Sequence, residues 1–406
     1  MKVSVLFFER TCFSLFFLAW EQRKVTDVGK IFIGLVTTMT KNYTDVGTLL
    51  IRNSDIKDNH FEFDSNPIHL DEGFAKLNDS RRMHIGDVVT VHTGDVGTSA
   101  VITEKEDGSI GFATIVTRPN KEIIDSNYLS TYLNTEQHKN WAINQSTGDG
   151  RTNYNLKEFT QLIVPLPSLK EQQCISKYIK QIDNLITLHQ RKCDKLVNIK
   201  KSLLEKMFPK NGNNVPEIRF KGFTEAWEQR KFSDVGCVSM CKRIFKTQTT
   251  DIGEVPFFKI GTFGKTADSY ITKKLFNEYK AKFSYPEKGD ILISASGSIG
   301  RIVEFSGKDE YFQDSNIVWL KHNKEISNEF LKQLYQIVKW YGIEGTTIQR
   351  LYNSNILNTE FKMPSIDEQN KISSLLNCID NLITLHQKKL NKLKNIKKSL
   401  LDKMFV

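Results

Sequence analysis

The sequence IDNLITLHQ occupies residues 182–190 and returns unchanged at residues 379–387. It lies inside a longer duplication, in which residues 168–208 match residues 365–405 at an offset of 197, with 27 identities in 41 positions. This repeat period is far longer than that of a solenoid. The 406 residues of the chain are also too many for one ordinary core. The duplication therefore predicts a pseudo-two-fold molecule made of two domain-sized halves.

Both copies have the pattern of a long amphipathic helix that begins after a proline and carries acidic residues in its first turn. Alternating steps of four and three residues follow an apolar seam, which is interrupted at the same places in both copies. Because an isolated heptad helix cannot bury its seam, each copy is expected to pair with the other. The second half begins just after the first helix ends, and domain termini usually lie close together, so the second helix is expected to start there and run back antiparallel to the first. The alternative is that each helix packs on its own lobe as an ordinary core helix. The predicted seam residues are Ile175, Ile179, Ile182, Ile186, Leu196, Leu203, Ile372, Leu376, Ile379, Ile383, Leu390, Leu393 and Leu400.

A second motif marks the start of each half. The sequence WEQRK occupies residues 20–24 and returns at residues 227–231, and each copy is followed by Asp-Val-Gly. Between this motif and the long helix the halves have diverged, apart from a glycine frame in which TGDVG at 93–97 aligns with SGSIG at 296–300. Short β-prone runs bounded by glycine-containing loops predict mixed α/β lobes. The predicted fold class is α+β, with two such lobes joined by two long antiparallel coiled-coil helices.

The predicted boundaries follow these motifs. Residues 1–19 form an atypical apolar leader, which Glu9 and Arg10 divide into pieces too short for a signal peptide or a membrane span. The remaining segments are a first lobe at 20–163, a first helical region at 164–210, a second lobe with its entry linker at 211–362 and a second helical region at 363–406.

The charge of the chain points to an anionic partner. The formal net charge is +10, of which residues 169–208 contribute +5 (nine basic, four acidic) and residues 366–405 contribute +4 (eight basic, four acidic). The lysine-rich outer faces are either solvated helix surface or a surface that meets phosphate groups or an acidic protein. Six cysteines without a Cys-x-x-Cys pair predict reduced thiols in a cytoplasmic protein.

We find no catalytic or metal-binding constellation in the sequence. GTFGKT at 261–266 resembles a phosphate loop, but only two residues separate its glycines, where four are required. Cys237 and Cys241 have a loose metal-ligand spacing without a second Cys/His pair close by in the sequence. His189 and His386 lie on the helical seam, where a structural role is expected. We therefore predict a binding protein with no catalytic residue and no metal or cofactor of its own.

Candidate DNA-contacting residues lie in loops that combine glycine, hydroxyl groups and cations. Glycine lets the backbone come close to a ligand, and arginine and glutamine can pair bidentately with base edges. The candidates are Thr93, Gly94, Thr98, Gly150, Arg151 and Thr152 in the first lobe, and Ser296, Ser298, Arg301, Gln349 and Arg350 in the second.

From Trp20 onward the chain resembles the specificity subunit (HsdS) of type I restriction-modification systems. The resemblance rests on WEQRK, on the sequences GDILI and SGSIGR within 289–301, and on the Pro-x-x-x-Glu-Gln entry to each helix at 167–172 and 364–369. The first lobe departs from this pattern, with Thr98 where the second has Arg301. Residues 1–19 also hold no counterpart of VPEIRFKGF at 215–223, and an altered start or a shifted reading frame would explain this difference.

The resemblance implies that each lobe is a target recognition domain that reads one half of a split double-stranded DNA target. It implies that the helices set the spacing of the half-sites and dock two methyltransferase subunits and the restriction (translocase) subunits. S-adenosylmethionine, ATP and Mg²⁺ would be used by those partners, and no membrane would be involved. The alternative from another class is a non-enzymatic coiled-coil scaffold whose lobes bind protein.

Overall fold

The computed structural model describes residues 20–146, 152–210, 212–342 and 350–405. Contacts divide the chain into two compact units. The first contains the described residues up to His189 together with those from Lys389, and the second spans Gln190–Lys388. Each unit therefore contains one lobe and a segment of each long helix, whereas the boundaries predicted from the sequence follow the repeat and keep each helix whole.

The first lobe holds twelve of the described strands and five helices. Strands β1 to β12 span Glu21–Lys24, Gly29–Ile33, Tyr43–Thr44, Thr48–Arg52, Ile56–Lys57, His60–Phe61, His69–Leu70, Val88–Val91, Ser99–Val101, Ile110–Phe112, Thr114–Pro119 and Ile163–Leu166. Helices α1 to α5 span Val25–Val28, Glu72–Leu77, Ser126–Leu133, Glu136–Gln145 and Leu156–Phe159. The long helix α6 follows at Leu169–Lys206.

Two four-stranded sheets organise this lobe. One has the antiparallel order β2-β11-β8-β9, and the other has the order β10-β4-β7-β3, in which β10 and β4 are parallel. Every residue of β8 is buried, as expected for a short apolar run that is covered on both faces. The WEQRK strand β1 pairs antiparallel with β12, from Glu21 opposite Leu166 to Lys24 opposite Ile163. The beginning and the end of the lobe therefore meet at the start of α6.

The second lobe repeats the four-stranded antiparallel sheet and the pairing of the first strand with the last. Strands β13 to β21 span Glu228–Lys231, Gly236–Met240, Val255–Phe258, Tyr270–Ile271, Ile291–Ser294, Ile302–Glu304, Tyr311–Phe312, Ile317–His322 and Glu360–Met363. Helices α7 to α10 span Phe232–Val235, Lys273–Lys282, Asn328–Leu334 and Asn353–Asn358, and the long helix α11 spans Ile366–Met404. The sheet β14-β20-β17-β18 corresponds to β2-β11-β8-β9, and the pair β13-β21 corresponds to β1-β12.

Within each unit the segments of α6 and α11 run antiparallel. In the first unit Asp183 contacts Lys397, and Ile175 shares a hydrophobic cluster with Phe405. In the second unit Lys200 contacts Asp380, and Leu204 shares a cluster with Leu376. The antiparallel pairing predicted from the heptad pattern is confirmed.

All thirteen predicted seam residues are buried or half-buried. The helix ends also pack into the lobes, because Ile175 and Ile179 belong to the core of the first lobe. Phe405 lies 5.8, 5.6 and 5.4 Å from the ring centres of Trp20, Tyr128 and Tyr132. The two packing arrangements weighed from the sequence therefore coexist: the helices pair with each other and their ends complete the lobe cores.

No helix in the described part of the chain is long and apolar enough to cross a membrane.

Candidate nucleic-acid interface

In the first lobe, two loops that are far apart in the sequence come together. Thr93 and Asn153 form an isolated β-bridge, and the Thr93 hydroxyl donates a hydrogen bond of 2.9 Å to the Asn153 amide oxygen. The amide of Gly94 contacts the carbonyl of Thr152 at 3.4 Å. The turn after β8 therefore lies beside Thr152 and Asn153.

The second lobe builds the same arrangement from other residues. Ser296 and Arg350 form the corresponding isolated bridge, and the Leu351 amide donates to the carbonyl of Ala295 at 2.8 Å. The Ser296 hydroxyl donates to the Asn316 amide oxygen at 2.7 Å. Arg350 is exposed and lines a cavity of 360 Å³ together with Ser296, Asn316 and Tyr352. Arginine and amide side chains are residue types that can pair with base edges.

Glycine gives these turns an open outer side. Gly94 and Gly297 have left-handed φ angles of 102° and 65°, which residues with a Cβ rarely adopt. In the described structure, nothing beyond the glycine and its chain neighbours lies within 4 Å of the position that a Cβ would occupy at either residue. Among the described residues, the backbone conformation and not a neighbouring group therefore demands glycine, and the turns are open on this side. Ser298, in the same turn as Gly297, is also exposed.

Two of the predicted contact residues make hydrogen bonds inside the protein that stabilise the turns. Thr98 is only 1% exposed, and its hydroxyl donates to the carboxylate of Asp95 at 2.8 Å. Arg301 is half-buried, and its guanidinium donates to the carbonyl of Phe263 at 2.9 Å. This geometry gives both side chains a structural role at the base of the turn. Their contact with DNA stays a prediction.

The remaining candidates Gly150, Arg151 and Gln349 lie outside the described residues, as do residues 1–19 of the predicted leader.

The structure adds a loop that sequence reasoning dismissed. The segment 261–266 lies beside the glycine turn of the second lobe, because Arg301 binds the carbonyl of Phe263. A Cβ at Gly264 would lie 3.3 Å from Val303, and Lys265 is exposed. In the sequence this segment resembles a phosphate loop, but its glycines are too close together for one. It combines glycine, threonine and lysine, as the candidate DNA-contacting loops do. This composition could have identified it as a further candidate loop.

Aromatic side chains pack against the second glycine of each turn. A Cβ at Gly97 would lie 3.1 Å from His138, and a Cβ at Gly300 would lie 3.3 Å from the indole nitrogen of Trp340. His138 is 1% exposed, and burial lowers its pKa to about 4, so the ring is neutral near pH 7. Its Nδ1 lies 2.6 Å from the carbonyl of Leu133, and its Nε2 lies 3.3 Å from the Tyr154 hydroxyl. The two lobes thus use different side chains to support equivalent turns.

The Pro-x-x-x-Glu-Gln entry anchors each long helix to its lobe. The Gln172 amide donates to the carbonyls of Pro167 at 2.9 Å and Ile123 at 3.1 Å, and its oxygen accepts from the Asp125 amide at 2.8 Å. Gln369 makes the equivalent bonds to Pro364, Glu325 and Ser327, at 3.0, 2.9 and 3.0 Å. Each glutamine is fully buried. The motif therefore fixes the position at which each helix leaves its lobe.

In the described ranges, no group of three or more His, Cys, Asp or Glu side chains could hold a metal ion.

Comparison with known proteins points to one family. The family model described as "Type I restriction modification DNA specificity domain" matches residues 18–198 and again residues 224–395. A type I restriction enzyme specificity subunit of Haemophilus influenzae is 54% identical over 153 residues, which are 37% of this chain and 40% of that protein. The specificity subunit of the type I restriction enzyme MjaX of Methanocaldococcus jannaschii is 24% identical over 424 residues, covering 94% of this chain and 92% of that protein.

A crystal structure has the same fold. The S subunit of a type I restriction-modification system from M. genitalium superimposes with a TM-score of 0.62 at 12% identity, covering 96% of this chain and 97% of that chain. The family match occurs twice, once on each half of the internal repeat.

Proposed function

The chain belongs to the type I restriction modification DNA specificity family, and on this premise we propose that it is the non-catalytic subunit that selects the DNA target of a type I restriction-modification complex. Each lobe reads one half of a bipartite target in double-stranded DNA. The methyltransferase and restriction subunits of such a complex carry the chemistry and use S-adenosylmethionine, ATP and Mg²⁺. This chain supplies the recognition surfaces and the frame that holds them.

The observation that carries the proposal is the pair of equivalent loop bridges. Thr93 meets Asn153 in the first lobe, and Ser296 meets Arg350 in the second. The bridges follow the corresponding strands β8 and β17, yet they present different hydrogen-bonding groups. Two half-sites of different sequence require this combination, because base edges are discriminated by the donors and acceptors that face them.

We further propose that the long helices set the spacing between the half-sites and dock two methyltransferase subunits and the restriction subunits. The lysines of the helices fall into two classes. Lys200 and Lys397 are only 13% and 18% exposed and pair with carboxylates across the helix pair. Lys192, Lys201 and Lys389, among others, are exposed. The exposed class is available to an acidic partner surface or to phosphate groups.

The competing function is a coiled-coil scaffold whose lobes bind protein. The salt dependence of DNA binding discriminates between the two, since each phosphate contact releases counterions and steepens the fall in affinity with salt. For the chain in complex with a methyltransferase partner, we expect the logarithm of the duplex-binding constant to fall linearly with that of the salt concentration. We also expect sequencing of modified bases, in cells that carry the complete system, to give a split motif. Failure of the complex to bind duplex DNA at low salt would favour the scaffold.

A further inference from the structure

The entry linker of the second lobe delivers an arginine to a buried glutamate. The Arg219 guanidinium donates two hydrogen bonds of 2.8 Å to the carboxylate of Glu368, one to each oxygen. A third bond of 2.6 Å joins it to the carbonyl of Glu225. Glu368 is 1% exposed. A planar guanidinium that meets both oxygens of a carboxylate is the geometry for which arginine is best suited.

Neighbouring residues of the linker fasten it to the second unit. The Ile218 amide donates to the carbonyl of Lys206 at 2.9 Å, and Phe220 packs against the hydrophobic core. The ammonium group of Lys371 lies 4.8 Å from the centre of the Phe223 ring. The linker is therefore a docked segment, with its arginine at the centre of the contact.

The corresponding glutamate of the first unit has different hydrogen-bond partners. Glu171 corresponds to Glu368 at the offset of 197, but among the described residues its Oε1 is buried and has no hydrogen-bond partner. Burial raises the pKa of the Glu171 carboxyl group, and the neighbouring Trp20 side chain opposes this shift. In the second unit the indole nitrogen of Trp227 is buried without a partner in the described structure, while Arg219 holds both carboxylate oxygens of Glu368.

The adjacent glutamines have matching surroundings in the two units. Gln172 and Gln369 make matching sets of three hydrogen bonds, so the helix entry has one geometry in both units. Among the described residues, Arg219 meets Glu368, whereas Oε1 of Glu171 has no hydrogen-bond partner. Residues 1–19 contain no counterpart of the linker sequence VPEIRFKGF.

We propose that Glu171 and Trp20 form an acceptor site for an arginine carried on an extended segment of the Ile218-Arg219-Phe220 type, in which apolar side chains flank the cation. The occupant that fits is a segment with the sequence character of residues 215–223. Its arginine binds both oxygens of Glu171, as Arg219 binds those of Glu368 in the second unit. Its apolar neighbours cover the edge of the first lobe beside the helix entry.

The test is a graft in the full chain. Residues 1–19 are replaced by a copy of residues 208–226, which has the same length and places the copied arginine eight residues before Trp20, as Arg219 precedes Trp227. We expect the graft to raise the melting temperature of the chain and to slow hydrogen exchange at residues 169–176. The same graft with alanine in place of the copied arginine should lose both gains, and so should Glu171→Gln in the arginine graft.

Matched substitutions in the unaltered chain provide the control. Glu368→Gln should lower the melting temperature, since it removes a buried ion pair, whereas Glu171→Gln should leave it unchanged or raise it. The proposal is overturned if the alanine graft stabilises the chain as much as the arginine graft, or if Glu171→Gln in the unaltered chain is as damaging as Glu368→Gln.

Should the grafts fail to fold, a synthetic peptide of residues 212–226 added to the unaltered chain should slow hydrogen exchange at residues 169–176. Equal slowing by a peptide with Arg219→Ala, or no slowing by either, overturns the proposal.

Discussion

The ammonium group of Lys200 lies 2.7 Å from the carboxylate of Asp380, across the helix pair of the second unit. The first unit contains the same pair as Lys397 and Asp183, at 2.6 Å. Both lysines interrupt the apolar seam at corresponding positions, 197 residues apart. A polar pair in an otherwise apolar seam favours one register over others, because any shift leaves charges half-buried and unpaired.

We expect Lys200→Met to lower the free energy of unfolding by about 1 kcal/mol, since it leaves Asp380 half-buried without its cation. The exchanged pair, Lys200→Asp with Asp380→Lys, should recover part of that loss. Urea denaturation of the single and double variants measures the coupling, and Lys397→Met provides the matched variant in the first unit. If the effect of the exchanged pair equals the sum of the effects of Lys200→Asp and Asp380→Lys alone, the two residues are not coupled, and the pair does not favour one register.

The buried ring of His138 predicts an acid sensitivity of the first lobe. Its pKa falls from the ordinary 6.5 to about 4 in the fold, so the fold favours the neutral ring. The free energy of unfolding is therefore independent of this group above pH 6.5 and decreases as the pH falls from 6.5 towards 4. The total decrease is up to ~3 kcal/mol for a shift of this size. Hydrogen exchange at residues 91–98 between pH 4 and 8, corrected for intrinsic rates, measures it. His138→Gln should remove this component, whereas His60→Gln, at an exposed position, should retain it. An unchanged slope in His138→Gln would assign the acid sensitivity to another group.

Arg350→Ala should relax one half of the methylated motif. A good bidentate contact between arginine and a base discriminates by roughly 1–3 kcal/mol, so the loss should appear at one base position of one half-site. Asn153→Ala, at the equivalent bridge of the first lobe, should affect the other half-site. Sequencing of modified bases in cells that carry the methyltransferase partner reads both outcomes. Weaker modification without any change of motif would assign Arg350 to a phosphate contact.

Exchange of a whole lobe tests whether the halves specify independently. Replacement of residues 227–362 by the corresponding lobe of another family member should change one half of the methylated motif and leave the other half intact. The pairing of β13 with β21 brings the two ends of this lobe together at the helix entry, so the exchange leaves the helices untouched. A change in both halves would show that the lobes are coupled.

Paired insertions test whether the helices set the spacer. Seven residues added after Asn198 and seven after Asn395 lie between the two lysine–aspartate pairs in both helices and preserve the heptad pattern. They lengthen each helix by about 10 Å, which corresponds to about three base pairs of duplex. We expect the same half-sites with a spacer longer by that amount, less what DNA bending absorbs. Four-residue insertions introduce a stutter and should also cost stability. An active variant with an unchanged spacer would mean that other elements hold the lobes apart.

The long helices could be predicted from the sequence because their signal is local. The repeated segments 168–208 and 365–405 were expected to be helical, and the structure has helices at Leu169–Lys206 and Ile366–Met404. Their pairing also followed, since an apolar seam of 3.5-residue period requires a partner.

The topology of the lobes could not be predicted because its contacts are distant in the sequence. Ile110 pairs in parallel with Leu50, and Thr93 meets Asn153 across sixty residues. No short-range pattern specifies such pairings, whereas the composition of each loop is visible on its own. Sequence reasoning therefore found candidate loops in both lobes without predicting that they would meet, and it missed the neighbour of Arg301 at 261–266.

The packing of Phe405 against Trp20, Tyr128 and Tyr132 has a consequence for biosynthesis. The aromatic core of the first lobe is closed by one of the last side chains to leave the ribosome, although its own strands emerge hundreds of residues earlier. The second lobe closes its core with Phe208, against Trp227 and Phe330, and all three are available once that lobe has been synthesised. The core of the N-terminal lobe therefore cannot be completed until the last residues of the chain have been synthesised. A nascent chain that stalls short of residue 389 carries an open aromatic surface in the first lobe, and such surfaces promote aggregation and recruit chaperones.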